Sequence, residues 1–144
     1  MGRMKFQTEE EIDDFLAAFE AGRIPKPEWT HQAHVAVAGA YVWRDPDSAL
    51  PQVRLGILFL NRRHETRNSA DSGYHETLTI FWVSVVKAFC MSRRSDGRLA
   101  VINEMMETLP AGLFKQFYGF DVVKSRRARE RWVEPDLQVL PGDC

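Results

Sequence analysis

The most apolar stretch of the chain is residues 78–91, LTIFWVSVVKAFCM. Its large side chains recur at spacings of three and four residues, which predicts a helix with a broad buried surface. The stretch includes Lys87 and is shorter than the roughly 20 apolar residues that span a bilayer. We therefore expect a buried helix, with Trp82 in its core-facing surface, and no membrane span.

Further segments on both sides of this stretch show the same helical spacing. They lie between Thr8 and Gly22, from Thr30 to Arg44, from about Ser48 to His64, from Leu99 to Leu109, and, as a last turn or two, from Ser125 to Trp132. No segment shows the alternating pattern of a strand. The sequence predicts an all-α fold, a single domain over residues 1–144 with four to five main helices around the apolar one.

The composition is that of an ordinary globular protein. The 144 residues are 44% hydrophobic and 27% charged, with a net charge of −1, so no overall field recruits nucleic acid or an acidic membrane. Two cysteines, Cys90 and Cys144, build no disulfide framework or metal knuckle. The first residues are charged and lack the apolar core of a signal peptide. We expect a reduced, cytoplasmic protein.

Three of the four histidines lie in two short motifs, WTHQAH at residues 29–34 and GYHET at residues 73–77. His31 and His34 are three residues apart and share a helix face, while His75 falls in the first turn of the apolar helix. Three imidazoles can hold one divalent metal, zinc or iron, and leave a fourth position open for water or substrate. This site requires the second and fourth helices to run parallel, with the third returning between them.

Glu76 is the candidate catalytic residue beside this site. Its carboxylate could be a ligand, a general base for bound water, or an acceptor for an imidazole N–H. A structural alternative stays open for each residue. His34 would pack on Trp29, His75 would bond a nearby carbonyl, and Glu76 would complement the helix dipole. His64 suits the C-terminal end of its helix.

The motifs WTHxAH and GYHET, with the ending ARxxWVxPDL at residues 128–137, resemble a family of small uncharacterised all-helical bacterial proteins. The similarity extends from the first helix to the tail and implies one intact domain, but it implies no activity. The metalloprotease pattern His-Glu-x-x-His is absent, because Thr79 stands four residues after His75. Phosphate-loop, dinucleotide and nucleophile-elbow motifs are absent too.

Two classes of function follow. The first is a metal-dependent enzyme that acts on a small molecule, by hydrolysis or non-haem iron chemistry. The second is a non-enzymatic helical module that binds a ligand or protein and whose histidines are structural. The basic stretch 124–131 could bind phosphates, but salt bridges to the acidic first helix explain it equally well, so nucleic acid is a disfavoured partner. The sequence is compatible with a homo-oligomer.

Overall fold

The computed structural model describes residues 4–141, and within that range there is no β-strand. The α-helices are α1 (Glu9–Glu20), α2 (His31–Arg44), α3 (Ala49–Arg63), α4 (Glu76–Ser92), α5 (Arg98–Thr108) and α6 (Arg126–Glu130). Three 3-10 segments cover Lys26–Glu28, Arg94–Asp96 and Ala111–Gln116. The all-α prediction is confirmed, but four to five helices is too few, because segments of 3–6 residues are too short to display a period. Cys144 lies outside the described residues.

Helix starts follow the expected capping chemistry. Thr8 and Glu11 form the capping box of α1, and the Thr30 hydroxyl accepts a hydrogen bond from the Ala33 N–H at the start of α2. The start of α4 differs from the prediction. His75 is the N-cap residue and Glu76 the first helical one, because the His75 ring, rather than a hydroxyl, accepts a hydrogen bond from the Leu78 N–H.

The most enclosed helix is α2, rather than α4. It packs against four other helices, most extensively α4 and α5. Nine of its residues are buried, and five of these are alanine or glycine (Ala33, Ala36, Ala38, Gly39 and Ala40). Small side chains let neighbouring backbones approach closely from several directions. Gly39 illustrates this, because an added Cβ would lie 2.6 Å from Met105 Cε.

Helix α4 divides its apolar surface between two core clusters. Val83, Val86 and Cys90 belong to the main core with α1, α2, α3 and α5. Phe81 and Val85 belong to a second cluster with α6 and with the C-terminal segment, which comprises residues 109–125 and 131–141. This division explains the broad apolar surface seen in the sequence. Across residues 4–141, none of the helices has both the length and the apolar character needed to cross a membrane.

Candidate functional site

A cavity of about 570 Å³ lies where the starts of α2 and α4 meet the end of α3. This arrangement agrees with the expected parallel course of α2 and α4. The wall contains all four histidines, three larger aromatic side chains (Trp29, Tyr74 and Trp82) and mostly apolar residues besides. Within residues 4–141, no aspartate or glutamate lines it. Its size and apolar character fall within the range of small-molecule pockets.

His34 is held in the wall by two contacts. Its ring lies against Trp29, with ring centroids 3.8 Å apart and planes 31° from parallel. Its Nδ1–H donates to the Thr30 carbonyl at 2.7 Å. The packing of His34 on Trp29, predicted as the structural alternative, is confirmed. Burial, opposed by the Thr30 hydrogen bond and assisted by nearby His31, lowers the pKa of His34 to about 4.

We expect acidification to destabilise the protein through His34. The unfolded chain takes up this proton below an ordinary pKa of 6.5, whereas the folded chain resists it down to about 4, so stability falls as the pH falls through that interval. Urea unfolding should show a loss of about 1–2 kcal/mol between about pH 7 and about pH 5. Most carboxylates stay ionised in this interval. Over the same pH interval, the variant His34→Phe should lose clearly less free energy of unfolding than the native chain. An equal loss in the variant would contradict the attribution of this pH dependence to His34.

His31 and His64 are fixed in the same manner. The Nε2–H of His31 donates to the Leu109 carbonyl at 2.9 Å, and its ring meets Trp82 edge to face. The Nε2–H of His64 donates to the Ile24 carbonyl at 2.7 Å. His64 is also the C-cap residue of α3, in line with the prediction for it. In their neutral forms, both rings keep the Nδ1 lone pair.

His75 differs from the other three because both of its ring nitrogens are engaged. Nδ1 accepts from the Leu78 N–H at 3.1 Å, and Nε2–H donates to the Val122 carbonyl at 2.8 Å. The side chain is buried, with 8% of the residue exposed. The histidine ties the start of α4 to the C-terminal segment. The carbonyl bond predicted as the structural alternative for His75 is present.

The geometry therefore brings His31, His34 and His75 to one cavity without giving them a common point of convergence. A metal-binding imidazole needs a free lone pair, and the His75 ring has none in this arrangement. Among residues 4–141, no group of three or more His, Cys, Asp or Glu side chains is placed to hold a metal ion. Metal binding by these three histidines would require His75 to release at least its bond to Leu78.

Glu76 lies outside the cavity wall, in a cluster with Arg54 and Tyr74. Arg54 donates to both carboxylate oxygens, at 3.0 and 2.9 Å, and the Tyr74 hydroxyl donates at 2.5 Å. Burial would raise the pKa of Glu76, but the hydrogen bonds from Arg54 and Tyr74 outweigh it and lower the pKa. A carboxylate so occupied is a weak base, and its hydrogen bonds reach no imidazole. The geometry favours the interpretation of Glu76 as a first-turn acid of α4.

The loop 64–75 covers one side of the cavity and is anchored by the basic stretch. Arg129 donates to the Gly73 carbonyl at 2.8 Å. Arg126 forms a bidentate salt bridge with Asp71. The sequence offered salt bridges from this stretch to the acidic first helix as the alternative. That prediction is wrong, because the salt bridge of Arg126 is with Asp71 of the loop. Arg98, from α5, pairs with that helix through Glu9 and Asp13.

Sequence reasoning missed Asn61 and Arg54. Asn61 is 7% exposed, lines the cavity and donates to the Asn68 side chain at 3.0 Å. The sequence could have indicated that Asn61 is buried, because Asn61 continues the four-residue spacing of the buried Val53 and Ile57 along α3. Arg54 carried no such signal, since its partner, Glu76, lies 22 residues away on another helix.

The comparisons with known proteins leave the chain without an assigned relative. No protein-family model, no curated protein and no solved structure matches it. The cavity and its wall are therefore the features that point to a function.

Proposed function

We propose that this protein binds a small, largely apolar aromatic molecule in the histidine-lined cavity. The observation that carries the proposal is the wall itself, which combines Trp29, Tyr74 and Trp82 with imidazole rings and, as far as residues 4–141 line it, has no carboxylate. Aromatic walls favour flat ligands through stacking and edge contacts. The volume of about 570 Å³ accommodates a molecule of one to three rings.

This proposal develops the second class of function, the helical ligand-binding module. The hydrogen bonds that hold the four rings support it, because each donates a ring N–H to a backbone carbonyl. Rings fixed in this manner form a preorganised wall, which reduces the entropy lost on binding. The metal-dependent enzyme stays a separate hypothesis, and elemental analysis of the purified protein tests it. A reduced, cytoplasmic setting stays a prediction from the sequence.

Filling the cavity should abolish binding. The test uses equilibrium dialysis with two neutral probes, 2-naphthol and 2-methoxynaphthalene. Leu78 lines the cavity and is partly buried, so Leu78→Trp places an indole ring in the space that a ligand needs. Leu55 is 68% exposed on α3 and lies outside the wall, so Leu55→Trp is the matched control. We expect a loss of affinity of about 100-fold or more for Leu78→Trp and no change for Leu55→Trp.

Two results would contradict the proposal. One is that neither probe binds the native chain at accessible concentrations, and the other is that both probes bind Leu78→Trp as tightly as they bind the native chain. Unfolding curves of the two variants establish that each is folded before its affinity is interpreted.

A further inference from the structure

Three histidine ring nitrogens of the wall remain able to accept a hydrogen bond from a ligand. His31 and His64 donate through Nε2 and keep a lone pair on Nδ1, whereas His34 donates through Nδ1 and keeps one on Nε2. Among residues 4–141, no hydrogen bond engages these three lone pairs. His75 contributes none, because both of its nitrogens are used.

None of these three nitrogens is fully buried. Within the described part of the chain, every fully buried side-chain nitrogen or oxygen has a hydrogen-bond partner. A ring nitrogen without a protein partner is therefore accessible, and the rings that carry these atoms line the cavity. The wall thus offers a ligand three unused hydrogen-bond acceptors.

Two hydroxyl donors of the wall are already used within the protein. The hydroxyl of Thr79 donates to the His75 carbonyl, and the hydroxyl of Tyr74 donates to Glu76. Among residues 4–141, the one lysine or arginine of the wall is Lys26, which is exposed and begins the 3-10 segment Lys26–Glu28. A ligand anion would face imidazole lone pairs with little charge compensation, and a ligand cation would find no carboxylate among the described residues of the wall.

We propose, building on the proposed function, that the cavity selects neutral aromatic molecules that carry an O–H or N–H donor, with His34 Nε2 as the principal acceptor. Phenols and aromatic amines belong to this class. His34 is chosen because its ring packs more closely on its aromatic neighbour than the His31 ring does, with centroids 3.8 Å apart for His34 and Trp29 and 4.6 Å apart for His31 and Trp82. Its lowered pKa keeps the lone pair available down to mildly acidic pH.

A matched series of three probes tests this selectivity by equilibrium dialysis at neutral pH. The probe 2-naphthol has a donor, 2-methoxynaphthalene has the same ring without the donor, and 2-naphthoate is an anion. We expect 2-naphthol to bind about tenfold more tightly than 2-methoxynaphthalene, the effect of one hydrogen bond, and 2-naphthoate to bind most weakly. In His34→Phe the preference for 2-naphthol should fall to within about twofold, whereas Leu55→Trp, a substitution outside the wall, should retain it.

The ring nitrogen signals of His34 provide a second measurement that needs no variant. Titration with 2-naphthol should shift the ¹⁵N resonance of His34 Nε2, the acceptor, more than 2-methoxynaphthalene does. Equal affinity for the two neutral probes, tightest binding of 2-naphthoate, or an unmoved Nε2 signal would each overturn the selectivity while leaving an aromatic cavity in place. Failure of all three probes to bind would overturn the proposed function as well.

Discussion

Replacing Phe81 with alanine is expected to lower the free energy of unfolding by about 3–5 kcal/mol. The Phe81 side chain is 0% exposed and makes edge-to-face contacts with Trp82, Phe117 and Tyr118. Removing the ring leaves a cavity between α4 and the C-terminal segment, which these contacts hold together. Chemical denaturation followed by circular dichroism measures the change.

The neighbouring tryptophan provides the matched control. Trp82 is partly buried and lines the ligand cavity, so its truncation enlarges an existing space rather than opening a new one. We expect Trp82→Ala to cost less than Phe81→Ala, although the sequence favoured Trp82 as the core residue of α4. A larger loss for Trp82→Ala would contradict the expectation that its truncation only enlarges an existing cavity.

Much of the fold could be predicted from residue spacing alone. The apolar spacing and the caps at Thr8 and Thr30 placed α1 and α2 correctly, because both signals are local in the sequence. The central position of α2 was not predicted. Its alanines and glycine add little to an apolar pattern, yet their small size is what allows four helices to surround it.

The candidate site could be predicted in its location but not in its chemistry. The sequence placed His31, His34 and His75 near the starts of two helices, and all three line one cavity. The hydrogen-bond partners of a histidine ring are set by tertiary structure. Leu109 lies 78 residues from its partner His31, and Val122 lies 47 residues from its partner His75. A local sequence pattern cannot predict contacts between residues so far apart in the chain.

Replacing His75 with alanine is expected to lower the free energy of unfolding by about 2–4 kcal/mol. The substitution removes the cap of α4 and leaves the Leu78 N–H and the Val122 carbonyl without their partner in a buried region. Losing an N-cap costs about 1 kcal/mol, and an unsatisfied buried group costs about 1–3 kcal/mol. Urea denaturation at neutral pH measures the sum.

The variant His75→Asn separates the two parts of this loss. Asparagine is a good N-cap residue, so it should restore about 1 kcal/mol, while its shorter side chain does not replace the bond to Val122. A metal-ligand role for His75 predicts a different pattern. A chelator would then destabilise the native chain about as much as His75→Ala does, and would leave the variant unaffected. We expect the chelator to leave the native chain unchanged, because both nitrogens of His75 are already bonded within the protein.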